Sequence, residues 1–272
     1  MKTLITTLLL AATATSANAL TADEIIASGK TAEEIGHDLA VEGDKRDFGF
    51  GDSEVSMKMV LTNARGKSST REMRSKTFEM ADMSVGDKSI IVFDRPRDVK
   101  GTAFLTHSKI LEADNQWLYL PALKRVKRIS SKNKSGPFMG SEFSYEDIAS
   151  QEVDKYTYKF MGEEKCDNGM DCVKVERYPS YKHSGYTKQV VWFDKDEFRV
   201  YKTDSYDRKS EHLKTLKAEG FKQYLGQYWR ADAFHMENHQ TGKKTSLLWD
   251  GYTFRTGQKE SDFTKAKLKR IK

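Results

Sequence analysis

Between Ser53 and Asn63, in SEVSMKMVLTN, apolar Val55, Met57, Met59 and Leu61 alternate with polar residues. Such alternation gives an extended strand one dry face and one wet face. Comparable runs follow to the end of the chain: SIIVFD, TAFLTHSKI, QWLYLP, YTYKFM, CVKVERY, TKQVVWFD, FRVYKTDSY, LKTLKAEGFKQY, WRADAFHMEN and TSLLWDGYTF. Turn formers separate most of them, as in NARGK, MADMSVGD, DKDE and QTGKK. Many strands at short spacing predict a large antiparallel meander, either a barrel or a strongly curved sheet. Upstream, the period changes. Residues 20–47 carry two capping-box patterns, Thr21 with Glu24 and Thr31 with Glu34. Ile25, Ile26, Ile35 and Leu39 form an apolar side, and Gly29 interrupts it. The reading is mainly β with N-terminal helices, without linker, low-complexity tract or repeat.

One-sided strands must cover their dry faces with a helix, with each other, or with a ligand. The chain is rich in residues suited to that, with 14 Phe, 12 Tyr and 10 Met, but these fill ordinary cores as readily as pockets. The compartment comes from the first residues. Lys2, the short apolar run LITTLLLAATATSA and Ala17-Asn18-Ala19 read as a signal peptide over 1–19, cleaved before Leu20, leaving one exported domain over 20–272. Cys166 and Cys172 frame CDNGMDC between two strands, and an oxidising compartment would join them across the hairpin. The net charge of +6 is spread with both signs interspersed, which describes a solvated surface and not a dedicated polyanion binder.

Motifs for chemistry are scarce. His235, Glu237 and His239 share one strand face, a pattern that reads as solvated surface before it reads as metal ligation. There is no G-x-S-x-G elbow, Walker loop or G-x-G-x-x-G, so neither catalytic residues nor a cofactor are expected. The stretch QWLYLPALKRVKRI puts Trp117 and Tyr119 on one side of a strand and Leu118 and Leu120 on the other, and either side could face inward. Arg125, Lys127 and Arg128 follow, beside Lys124. Export and the nearby Glu142, Glu146 and Asp147 argue against nucleic acid. Two readings of the cations stay open: a solvated strand end paired with carboxylates, or a rim that meets an anionic headgroup or partner.

Four blocks in order, GDSEVSMKMVLTNARGKSSTREMRSKTFE, GDKSIIVFDRPRDVKGTAFLTHSK, DNQWLYLPALKRVKRI and GPFMGSEFSYEDI, resemble the LolA-like outer-membrane lipoprotein-sorting family over residues 51–148. Beyond Tyr156 the resemblance is looser. It implies an unclosed antiparallel half-barrel covered by helices, a periplasmic setting, and a cavity for the acyl chains of a lipid or lipoprotein. On that reading Val55, Met57, Met59, Leu61, Trp117 and Tyr119 would line the cavity and Ile25, Ile26, Ile35 and Leu39 would cover it. Arg125, Lys127 and Arg128 would stand at its rim. The resemblance also brings transient membrane contact and, as context, an RND-type inner-membrane transporter as partner. A non-enzymatic adaptor of such an export complex, holding no free ligand, is the alternative.

Overall fold

The computed structural model describes residues 19–271, so the expected signal peptide, apart from Ala19, lies outside the described residues. Helices α1 (Ala22–Ile26) and α2 (Ala32–Asp47) come first. Both begin at the capping boxes: Thr21 and Thr31 each accept from the N–H three residues on, and Glu24 and Glu34 return the bond. Gly29, at φ +73°, lies in the turn between them.

The strands are β1 (Asp52–Thr62), β2 (Ser68–Phe78), β3 (Lys88–Arg95), β4 (Ala103–His107), β5 (Asn115–Leu120), β6 (Arg125–Ile129), β7 (Tyr156–Lys165), β8 (Asp171–Pro179), β9 (Lys188–Asp194), β10 (Val200–Tyr206), β11 (His212–Glu219), β12 (Lys222–Tyr224), β13 (Tyr228–Arg230), β14 (Ala233–Asn238) and β15 (Lys244–Phe254). A short α3 (Lys265–Leu268) lies near the C-terminus. Thirteen strands form one antiparallel sheet in the order β6-β5-β4-β3-β2-β1-β15-β14-β11-β10-β9-β8-β7, and β12–β13 make a separate hairpin. Two meanders therefore meet at a β1–β15 seam, where Met59 pairs with Leu247. The sheet's two edges, β6 and β7, are consecutive in sequence but do not pair. The half-barrel stays open, and residues 130–155 cross between its edges.

The register identifies the faces. Leu61 lies opposite Thr245, then Met236, Leu216, Thr203, Val191, Val175 and Phe160 in successive strands, so all share one side, the inner face. Two different covers lie on it. Over β7–β9, Ile25, Ile35 and Leu39 of the helices pack on Tyr156, Tyr158, Val173, Val175, Val191 and Phe193, with Ile26 partly buried at the margin. Over β1–β5 the cover is the crossing segment itself: Phe138 and Phe143 are buried against Val55, Met57, Met59, Met73, Phe93, Phe104 and Leu118. The helices thus cover only one half of the half-barrel. The segment is anchored by charge as well. Lys155 Nζ is 2.5 Å from Asp114 Oδ1, and the buried Lys134 ammonium donates to the Asp114 carbonyl.

The outer face has its own cover. Phe263 and Leu268 of the C-terminal segment pack on Ile90, Val92, Ala103 and Leu105, with Trp117, Tyr119 and Val126 at the margin. Cys166 and Cys172 are joined at the β7–β8 turn, with Cα atoms 5.6 Å apart.

Candidate ligand cavity

The helix cover does not seal against the sheet. One cavity of about 220 Å³ lies between Gly36, Leu39, Ala40 and Gly43 of α2 and the inner-face residues Tyr158, Val175, Val191 and Phe193, with Phe198 and Val200 at its end. A second, of about 300 Å³, also touches Gly43, Phe198 and Val200 and runs on to Phe234, Trp249, Tyr252 and Trp229. Together they make an apolar hollow beneath the C-terminal half of α2.

Two glycines of α2 set its shape. At Gly36 a Cβ would come within 2.9 Å of the Phe160 amide nitrogen, so only glycine lets the helix lie this close to β7. At Gly43 a Cβ would sit 3.5 Å from the Phe198 Cβ, an ordinary contact that a side chain there can make without strain. Of the cations around the hollow, Arg177 bonds the Gln189 side chain at 2.9 Å and lies 4.8 Å from the Tyr156 ring centroid, while three others hold carboxylates. Arg46 lies 4.3 Å from the Phe198 ring centroid and bonds Glu42 at 2.9 Å. Arg199 bonds Asp194 at 2.9 Å and stacks 4.4 Å from the Trp229 centroid. Arg230 bonds Asp47 at 2.5 Å.

On the other side of α2 a third cavity, of about 230 Å³, is acidic: Asp44, Asp47, Glu79, Asp87 and Glu152 all contribute to its wall. Burial pushes the Asp87 carboxyl up to about 6 and Glu152 up to about 7, the latter despite Lys155. A carboxyl whose folded pKa is raised stabilises the fold fully below its unfolded pKa and loses that contribution as pH rises through the folded value. The window runs from 3.8 to about 6 for Asp87 and from 4.5 to about 7 for Glu152. Asp87→Asn/Glu152→Gln should therefore gain melting temperature relative to the wild type as pH climbs through that window. Parallel melting curves across the window would show that these carboxyls carry no such linkage.

The anticipated residues divide. Leu39 lines the hollow, while Ile25 and Ile35 pack beside it. Val55, Met57 and Met59 are on the inner face but not in the hollow, because Phe138 and Phe143 lie against them; Leu61 is partly buried at the edge of that cluster. Trp117 and Tyr119 do not join them. Trp117 is opposite Leu105 and belongs to the outer face, so Leu118 and Leu120 take the inward side. Arg125, Lys127 and Arg128 lie on β6, the edge strand at the far end of the sheet from β7. They are exposed, and among the described residues no ion pair includes them; Arg128 bonds only the Asn115 side chain, at 2.7 Å. The acids near them in sequence are committed elsewhere: Glu142 to Asn238, Glu146 to Tyr181 and Gly185, Asp147 to Lys214. His235 bonds Ser246 and His239 bonds Thr215, so the two imidazoles have different partners. Reasoning from sequence missed Tyr158, Val175, Val191, Phe193 and Phe198; the alternation in TKQVVWFD was the available signal for Val191 and Phe193.

An outer-membrane lipoprotein-sorting protein domain from Vibrio parahaemolyticus superposes with a TM-score of 0.85 at 55% identity, covering 88% of this chain and all of that one. The chain belongs to the same family as that domain. A DUF1329 family protein from Desulfovibrio piger matches this chain at 33% identity, with a TM-score of 0.83 and the same coverage, 88% and 100%. A LolA superfamily protein from Nitrosomonas europaea, at 20% identity, shares the fold with a TM-score of 0.67 over 88% of this chain and 99% of its own. A family model described as that of an uncharacterized protein matches residues 86–270. The search of curated proteins returned no match.

Proposed function

We propose that this LolA-like protein is a periplasmic, non-enzymatic carrier that holds an acyl chain of a lipid or lipid-modified protein in the hollow beneath α2. The observation that carries the reading is an apolar, unfilled hollow between α2 and the inner face, in a chain of a lipoprotein-sorting family. An acyl chain placed there loses contact with water at a gain of about 0.8 kcal/mol per methylene. Burial supplies the grip, and Arg177, whose partner is the Gln189 side chain and not a carboxylate, is the wall cation placed to meet a headgroup. Transport to or within the outer envelope, transient membrane contact and an RND-type transporter as partner belong to the same reading.

Gly43 provides the test, because a side chain there grows into the hollow without meeting backbone. Gly43→Phe should fill the space and abolish uptake of a dansyl-labelled fatty acid. The same variant should melt close to the wild-type temperature, since exchanging glycine for phenylalanine in a helix interior gains about 0.3–0.5 kcal/mol. Fluorescence titration and thermal unfolding on one preparation read both effects. Failure of the wild-type protein to take up the probe would end the carrier reading and leave the adaptor, a subunit without a free ligand.

A further inference from the structure

The two edges of the sheet are not equivalent. At β7, α2 lies against the Lys159–Phe160 backbone, close enough that only glycine fits at position 36. At β6, the strand is bonded to β5 on one side and ends the sheet on the other. Lys124, Arg125, Lys127 and Arg128 surround that edge, exposed and without an ion pair among the described residues. This contrasts with Lys155, Lys214 and Arg199, whose carboxylate contacts are 2.5, 2.6 and 2.9 Å. Charged edges keep sheets from adding strands at random. Unpaired cations also specify which strand would be accepted.

We propose that β6 is a docking edge for an extended acidic segment of a partner protein, which adds to the sheet as a further strand. The register states the pattern. Arg125 and Lys127 lie opposite Leu120 and Leu118 and project on the inner side; Arg128, opposite Trp117, projects on the outer side. Val126 and Ile129 between them are half-buried. A complementary strand carries acids opposite Arg125, Lys127 and Arg128 and apolar residues opposite Val126 and Ile129, because directly opposed side chains interact most strongly. Read antiparallel, that is apolar-acid-acid-apolar-acid. Two further occupants fail on charge. A second copy meeting it through its own β6 would set cations against cations, and the acids of the other edge strand, Glu163 and Glu164 of β7, are engaged by Lys195 and Trp192. This chain's own residues 1–18 contain no aspartate or glutamate. Cations on both sides of the strand also suit a ladder better than a flat lipid surface, which would meet one side. The proposal is independent of the acyl reading.

The test is fluorescence polarisation with the mature protein and a labelled peptide, Thr-Val-Glu-Glu-Val-Glu-Thr, blocked at both ends. It should bind, weaken as salt rises, and lose at least about tenfold in affinity against Arg125→Glu/Lys127→Glu, a change of about 1.4 kcal/mol or more. The same peptide N-methylated at alternate residues keeps its charge but cannot form the ladder, and it too should lose at least about tenfold. Equal binding of the methylated peptide would overturn strand addition. So would an absence of binding in a variant-insensitive titration, or charge-dependent capture by phosphatidylglycerol vesicles that the peptide fails to displace, which would make the edge a lipid-surface contact.

Discussion

Asp147→Asn is expected to cost about 3–5 kcal/mol of stability, because it strands a buried ammonium. Lys214 Nζ lies 2.6 Å from Asp147 Oδ2, and the side chains are 4% and 11% exposed. The carboxylate also accepts from the Ser144 amide at 2.6 Å and from the Tyr186 hydroxyl at 2.7 Å. Burial alone would raise the Asp147 pKa, but Lys214 and these donors outweigh it and hold the carboxyl below its ordinary value of 3.8. A depressed carboxyl contributes stability above its unfolded pKa and loses it as pH falls through the folded value. The asparagine variant should therefore lose most against the wild type at neutral pH and converge toward it in acid. Urea unfolding at neutral pH should show a lower midpoint with an unchanged slope. Asp147→Leu/Lys214→Met, which removes both charges, should recover a large part of the loss, as replacing a whole buried pair commonly does. A loss below about 1 kcal/mol would place the pair in the weak class of solvent-screened bridges.

This pair also marks where local sequence reasoning stops. Thr21, Glu24, Thr31 and Glu34 revealed both helix starts, because a capping box acts over three residues. The alternation at Val55–Leu61 revealed β1, because a strand's two faces are written into adjacent positions. It could not tell which face of QWLYLP turns inward, since both are apolar. That choice depends on Phe138 and Phe143 on one side and on Phe263 and Leu268 on the other. The C-terminal cover was hidden in the charge-rich FTKAKLKRIK. In the same way, the acids of GPFMGSEFSYED stand near the β6 cations in sequence, yet Lys214, Tyr186 and Tyr181, far along the chain, hold Asp147 and Glu146. The hollow was invisible for a related reason. It comes from the spacing of α2 above β7–β9, set by Gly36 and left open at Gly43, and no local pattern encodes that distance.

Phe138→Ala should be comparably costly, about 3–5 kcal/mol, and should separate filled half from hollow half. Phe138 is fully buried, with its ring 5.0 Å from Phe104, 5.5 Å from Tyr145 and 6.0 Å from Phe93 by centroids. Phe143 and Tyr145 pack beside it but do not occupy its place between Phe93 and Phe104, so truncation leaves a void in a close-packed cluster. Met59→Ala, on the strand beneath, belongs to the same packed cluster and should cost about 2–5 kcal/mol. Phe198→Ala is the contrast. Phe198 stacks on Phe193 at 5.7 Å but borders both parts of the hollow, so its truncation enlarges existing space. Its stability cost should be the smallest of the three, and its effect on acyl-probe affinity the largest. Denaturant unfolding and probe titration on the three variants would reveal the division. If Phe138→Ala and Met59→Ala alter probe affinity while remaining near wild-type stability, the crossing segment is a displaceable cover and the acyl chain lies on β1–β5, where the alternation of the first strand pointed.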